Sequence, residues 1–164
     1  MKKLILGLLM LGLIGQVQAQ KVELDEVIIL ATNYKYLNAV DNSEAPVPVK
    51  LLEREVAKFN LKEAEFYLDE YAYYQIMFYI PDGKILAAFD KDGKVIRTVE
   101  KFKNVALPQK VDLAIKERFP GWTIKKDVYL VKYAKGKSKM EYKVVLVNGD
   151  QTIRVKLKPD GAFL

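Results

Sequence analysis

The chain has 164 residues, 51% of them apolar, and a formal charge of +6 with neither His nor Cys. That length supports one core, or two small ones sharing an interface. The missing residue types exclude Ser-His-Asp and Cys-His nucleophilic sites, disulfide bonds and the usual zinc ligands.

Residues 1–19 have the form of a secretory signal peptide. Lys2 and Lys3 make a positive start, Leu4 to Ile14 is an apolar run broken by Gly7 and Gly12, and Val17-Gln18-Ala19 supplies a small-residue cleavage site. The apolar run falls short of the roughly 20 residues a membrane span needs. Cleavage after Ala19 and export to the periplasm or medium are therefore expected. Losing this segment removes two lysines and no acids, which leaves 25 basic against 21 acidic side chains. That balance is too mild for a nucleic-acid binder. No later segment is long and apolar enough to cross a membrane.

Residues 20–45 are expected to form a strand, Val22 to Leu30, and a connector. The connector is placed at Asn33 to Ala45 because Asn38, Asp41, Asn42 and Ser43 are turn formers. A helix starts near Pro48, with Leu52, Val56 and Phe59 at helical spacing. Strands follow at 63–68, 71–80, 84–90 and 94–99, punctuated by Pro81-Asp82-Gly83 and Asp92-Gly93. A second helix starts at Pro108, carries Val111, Ile115 and Phe119, and is stopped by Pro120-Gly121. Strands are then expected at 123–133, 142–147 and 152–158. Lys135 to Lys139 makes a polar hairpin tip, and Asn148-Gly149 and Asp160-Gly161 make turns.

The two halves repeat one pattern. At a spacing of 68 residues Tyr74 meets Tyr142, Ile76 meets Val144, Phe78 meets Leu146, Ile85 meets Ile153 and Phe89 meets Leu157. Matching positions keep the same parity, so a slip of register would not produce the match. The expected organisation is an α+β fold of two tandem units, 46–106 and 107–164. Each is a helix packed on an antiparallel sheet of three to four strands.

Strand alternation sorts the faces. In the second unit Tyr142, Val144, Leu146, Ile153, Val155 and Leu157 form the core side, while Lys143, Arg154 and Lys156 point outward. Carried to the first unit, the same parity sends Tyr71, Tyr73, Gln75, Met77, Tyr79, Leu86 and Ala88 outward. That set is too apolar for a solvated sheet face. Either another part of the chain covers it, or a partner does. Tyr and Met are residues that interfaces favour.

Other motifs carry little chemistry. Asp90-Lys91-Asp92-Gly93 opens like a calcium loop but lacks the later ligands, and a hairpin turn accounts for it. Glu63, Glu65, Asp69 and Glu70 are acidic without oxyanion donors or a substrate clamp beside them. Trp122 sits at a helix-to-strand corner, where it plugs a core end or stacks on a ligand. No catalytic residue, metal site or cofactor is expected.

Leu107-Pro108, Ala114-Ile115, Phe119-Pro120-Gly121-Trp122, Tyr142-Lys143-Val144, Asn148-Gly149 and Asp160-Gly161 together resemble the PepSY-like domains. These are small α+β units in the same broad fold group as β-lactamase-inhibitor proteins. The resemblance covers about residues 46–164 and is weaker in the first unit, where Asn60-Leu61 replaces the Pro-Gly-Trp corner. It implies an exported envelope protein of Bacteroidetes type that binds or inhibits a protein partner, such as a peptidase or other enzyme, through its open sheet face. Partner-contacting residues are then Tyr71, Tyr73, Met77, Tyr79, Leu86, Lys143, Arg154 and Lys156. A carrier of peptide or lipid, using a groove between the units near Trp122, is the alternative.

Overall fold

The computed structural model describes residues 31–164. The signal segment and the strand expected at Val22 to Leu30 lie outside the described residues. Helix α1, Tyr34–Val40, occupies what the sequence presents as connector. Tyr36 and Val40, four residues apart, share one helix face and are both buried. Asn33 precedes the helix but is no solvated turn residue. Its amide nitrogen donates to the Ala57 and Gly93 carbonyls, and its Oδ1 accepts from Val95 N–H at 2.8 Å. Three separate segments are tied together by one side chain.

Helix α2, Val47–Lys58, begins behind Pro46 and carries Pro48 in its first turn, where the missing N–H costs nothing. Its buried stripe is Val49, Leu52, Glu53, Val56 and Ala57. Helix α3, Gln109–Arg118, buries Val111 and Ile115 and ends before Gly121, which takes φ +81°. Both helices lie where the apolar spacing puts them.

The strands are β1 Tyr73–Ile80, β2 Gly83–Asp90, β3 Val95–Lys103, β4 Thr123–Ala134, β5 Lys137–Asn148 and β6 Gln151–Leu157. They form one six-stranded antiparallel sheet in the order β1-β2-β3-β4-β5-β6. β3 pairs with β4 from Arg97↔Ala134 to Lys103↔Val128, so the halves share a single sheet. In the first hairpin Tyr74 pairs with Phe89 and Ile80 with Gly83. In the last, Tyr142 pairs with Leu157 and Asn148 with Gln151.

The strand expected at 63–68 does not form. A 3₁₀ turn, Leu61–Glu63, is followed by turns that fold the chain over Tyr74. Tyr74 Oη donates to Leu68 O and accepts from Leu68 N–H, while the rings of Phe66, Tyr67 and Tyr71 pack against the Tyr74 ring. Aromatic packing and a local hydroxyl bridge satisfy this segment in place of a ladder. Tyr71 therefore precedes β1 and does not share the outer sheet face.

The three helices bury their stripes in one core cluster with the inward residues of the sheet, among them Ile85, Phe89, Phe102, Tyr129, Tyr142 and Leu146. Two bulges keep the faces in phase. Ile96 is the extra residue opposite the Ala88–Phe89 step, and Lys125 the extra residue between Ile124 and Lys126. Without them Val95 and Ile124 would turn away from the core.

Candidate docking face

All described helices pack on one side of the sheet, so among the described residues nothing covers the other side, called the open side below. Pairing registers place its residues in rows. One row runs Met77, Leu86, Val99, Lys132, Lys139; the next runs Tyr79, Lys84, Lys101, Leu130, Glu141. A third runs Lys103, Val128, Lys143, Lys156. Arg97, Lys126, Lys137 and Arg154 complete the basic set, and all of these basic side chains are exposed. Among the described strand residues, Glu141 and, at the rim, Asp90 are the acids on this side.

Three lysine pairs stand directly opposite one another on neighbouring strands: Lys84↔Lys101, Lys132↔Lys139 and Lys143↔Lys156. Like charges in that position destabilise a sheet. Glu141 Oε1 lies 3.5 Å from Lys143 Nζ and offsets part of one pair. The remainder is uncompensated by the sheet itself.

The expected contact residues fall into two groups. Tyr73 is 60% exposed, Met77 46% and Tyr79 79%, with Leu86 half-buried beside Met77. Lys143, Arg154 and Lys156 lie together on β5 and β6. Both groups share the open face, but at its two ends. β1 and β6 are five strand spacings apart, or about 24 Å. The sequence reading missed what joins them, the lysines and arginine of β2 to β4. Alternation in Arg97-Thr98-Val99-Glu100-Lys101-Phe102-Lys103 carries that signal, since Thr98, Glu100 and Phe102 point to the core.

Lys84, Lys101 and Lys103 meet Tyr79 around a shallow cleft at the Pro81-Asp82-Gly83 turn. Two other clefts lie at the far edge, one lined by Ser138, Met140 and Pro159, the other by Arg118, Arg154 and Phe163. None of the three includes Trp122. The Trp122 ring packs edge-on against Phe119 at 6.3 Å, in a run that continues to Phe163 with the Arg118 guanidinium 4.5 Å above it. The Asp90 carboxylate accepts the N–H groups of Asp92 and Lys94 and so shapes its own turn.

One buried polar cluster lies behind the face. Glu100, on the inward side of β3, accepts from Tyr36 Oη at 3.1 Å and from Thr98 Oγ1 at 2.6 Å. Glu53 reaches the same region from α2, and among the described residues no N–H or hydroxyl group donates to Glu53 Oε1 or Glu100 Oε2. Burial, then the neighbouring Glu100 carboxylate, pushes Glu53 up to about 9. Burial raises Glu100 as well, against the hydrogen bonds it accepts. Neighbouring carboxyls buried together do not ionise together, so Glu53 keeps its proton. Sequence periodicity gave no sign of this, because Glu53 sits among helix residues that resemble a solvated face.

Comparison of the chain with protein-family models and with curated proteins finds no match in either.

Proposed function

We propose that the chain is an exported, non-catalytic binding module of two PepSY-like units that docks an acidic protein partner on its open sheet face. The observation that carries this is the set of three opposed lysine pairs on one face that no described segment covers. A sheet gains nothing for its own stability from them, and an acidic surface laid across them would relieve the repulsion. The Met77–Leu86–Val99 end of the same face supplies apolar contact. That mixture favours a protein over a bare polyanion.

The two-unit reading draws support from register. The β1–β2 ladder and the β5–β6 ladder pair residues 68 positions apart in the same way, Tyr74↔Phe89 against Tyr142↔Leu157. Phe89↔Val95 likewise corresponds to the bridge Leu157↔Phe163.

The test is capture from envelope extract, with poly-glutamate, anionic vesicles and duplex DNA as defined comparisons. Acidic proteins should be retained at low salt, released as salt rises, and lost from a folded Lys143→Glu/Lys156→Glu variant. Met77→Asp/Leu86→Asp should weaken retention without removing its salt dependence. Retention on vesicles or DNA but not on acidic proteins, or equal retention by the charge-reversed variant, would sink the reading.

A further inference from the structure

The two edges of the sheet are finished differently. β6 carries Arg154 and Lys156, and the chain end folds back on it: Leu157 bridges Phe163, and Leu164 N–H donates to Lys156 O. Charges and a covering segment are the usual guards of an edge. β1 has neither. Its sequence, Tyr73-Tyr74-Gln75-Ile76-Met77-Phe78-Tyr79-Ile80, holds no charge and no Pro, and runs eight residues. Among the described residues no backbone hydrogen bond reaches it except from β2. On an antiparallel edge strand the N–H and C=O of alternate residues then point outward unpaired.

The corresponding strand shows what such an edge accepts. β5 is the match of β1 at 68 residues, and its equivalent edge is filled by β4, with Tyr129 opposite Tyr142 and Asp127 opposite Val144. The residues that would supply the same strand to β1 fold over Tyr74 as turns. Among the described residues the first half is thus one strand short. Exposed apolar side chains gather along that edge as well: Phe66, Leu68, Tyr71, Tyr73, Met77 and Tyr79.

We propose that β1 pairs antiparallel with β1 of a second copy of this chain, giving a two-fold dimer with one continuous sheet. Charge selects this occupant. The outer-face cations lie on β2 to β6 and are densest from β3 onward, so a seam at β1 joins the two uncharged ends and keeps the cationic regions apart. Registers that hold the faces in phase set Tyr73, Gln75, Met77 and Tyr79 against one another on the outer face and Tyr74, Ile76 and Phe78 on the inner. The seam rests on the hairpin correspondence and on the bare edge, and does not depend on an acidic partner.

The experiment is sedimentation velocity on protein purified after expression of the full sequence. It compares the wild type with Gln75→Lys/Tyr79→Lys and Gln75→Glu/Tyr79→Glu, both made at exposed positions, with circular dichroism to show that each folds. A concentration-dependent dimer is expected for the wild type. Each variant alone should dissociate about tenfold or more readily, and an equimolar mixture of the two should regain the dimer, since opposite charges then face across the seam. A wild type that stays monomeric at every concentration overturns the proposal. So does a dimer that both variants leave intact. Loss of acidic-partner retention in Lys143→Glu/Lys156→Glu with the dimer unchanged would separate the two surfaces.

Discussion

At the scale of single residues, the side chains that fix this fold are polar ones hidden in it. Asn33 holds α1, the end of α2 and the start of β3 through three hydrogen bonds, and is almost wholly buried. Asn33→Ala leaves two carbonyls and one N–H without that partner, and should cost about 1–3 kcal/mol in urea unfolding. A loss no larger than that of an exposed Asn38→Ala control would remove Asn33 from this role. The Glu53–Glu100 pair makes a pH prediction. Both carboxyls have folded-state values raised above their ordinary range, so the folded state holds protons that the unfolded chain has released. Their contribution is complete at acid pH, declines as pH rises past the ordinary carboxylate range, and is lost as pH approaches about 9. Glu53→Gln keeps the shape and removes the ionisation, so it should flatten the decline in stability between about pH 5 and about pH 9. An unchanged slope would show that the pair does not govern it. Neither role was legible in the sequence. Asn33 carries the marks of a turn residue, and Glu53 those of an exposed helix position, because burial of a polar group depends on what packs over it.

At the scale of elements, the hairpins were the most legible part. Their alternation and Gly-bearing turns set the inward faces of β1, β2, β5 and β6 correctly, since a slip by one residue would have turned Tyr142, Val144 and Leu146 to water. Less legible were α1, too short for its two buried residues to show a period, and the turns at 61–72, where ring packing on Tyr74 replaced a ladder. Pairing of β3 with β4 was not legible at all, because long-range partners leave no local trace. The turn glycines themselves differ in weight. Gly161 takes φ +88°, and a Cβ there would stand 2.7 Å from the Lys110 carbonyl oxygen of α3. Gly149 takes φ +55° with open space around it. Gly161→Ala should therefore cost about 2–3 kcal/mol and loosen α3, against about 1 kcal/mol for Gly149→Ala. Equal losses in thermal unfolding would mean that the close approach of the last turn to α3 is not needed.

At the scale of the whole molecule, the sheet has two sides with opposite physical demands. The helix side is one packed core, and the open side gathers cations that the core does not need. If that side exists to receive an acidic surface, then stability and binding should move in opposite directions when its repulsions are relieved. Lys101→Glu places an acid opposite Lys84, and Lys139→Glu places one opposite Lys132. Each swap exchanges a repulsive cross-strand pair for an attractive one, at about 0.2–1 kcal/mol per pair. Together they should raise the midpoint of thermal unfolding by about 2–5 °C at low ionic strength. The gain should shrink in high salt, where exposed charges are screened. Retention of acidic partners should fall in the same protein. A variant that is more stable and binds equally well would show that these lysines face solvent for no purpose the partner uses, and a variant that is less stable would mean that the rows of the open face are not in electrostatic contact.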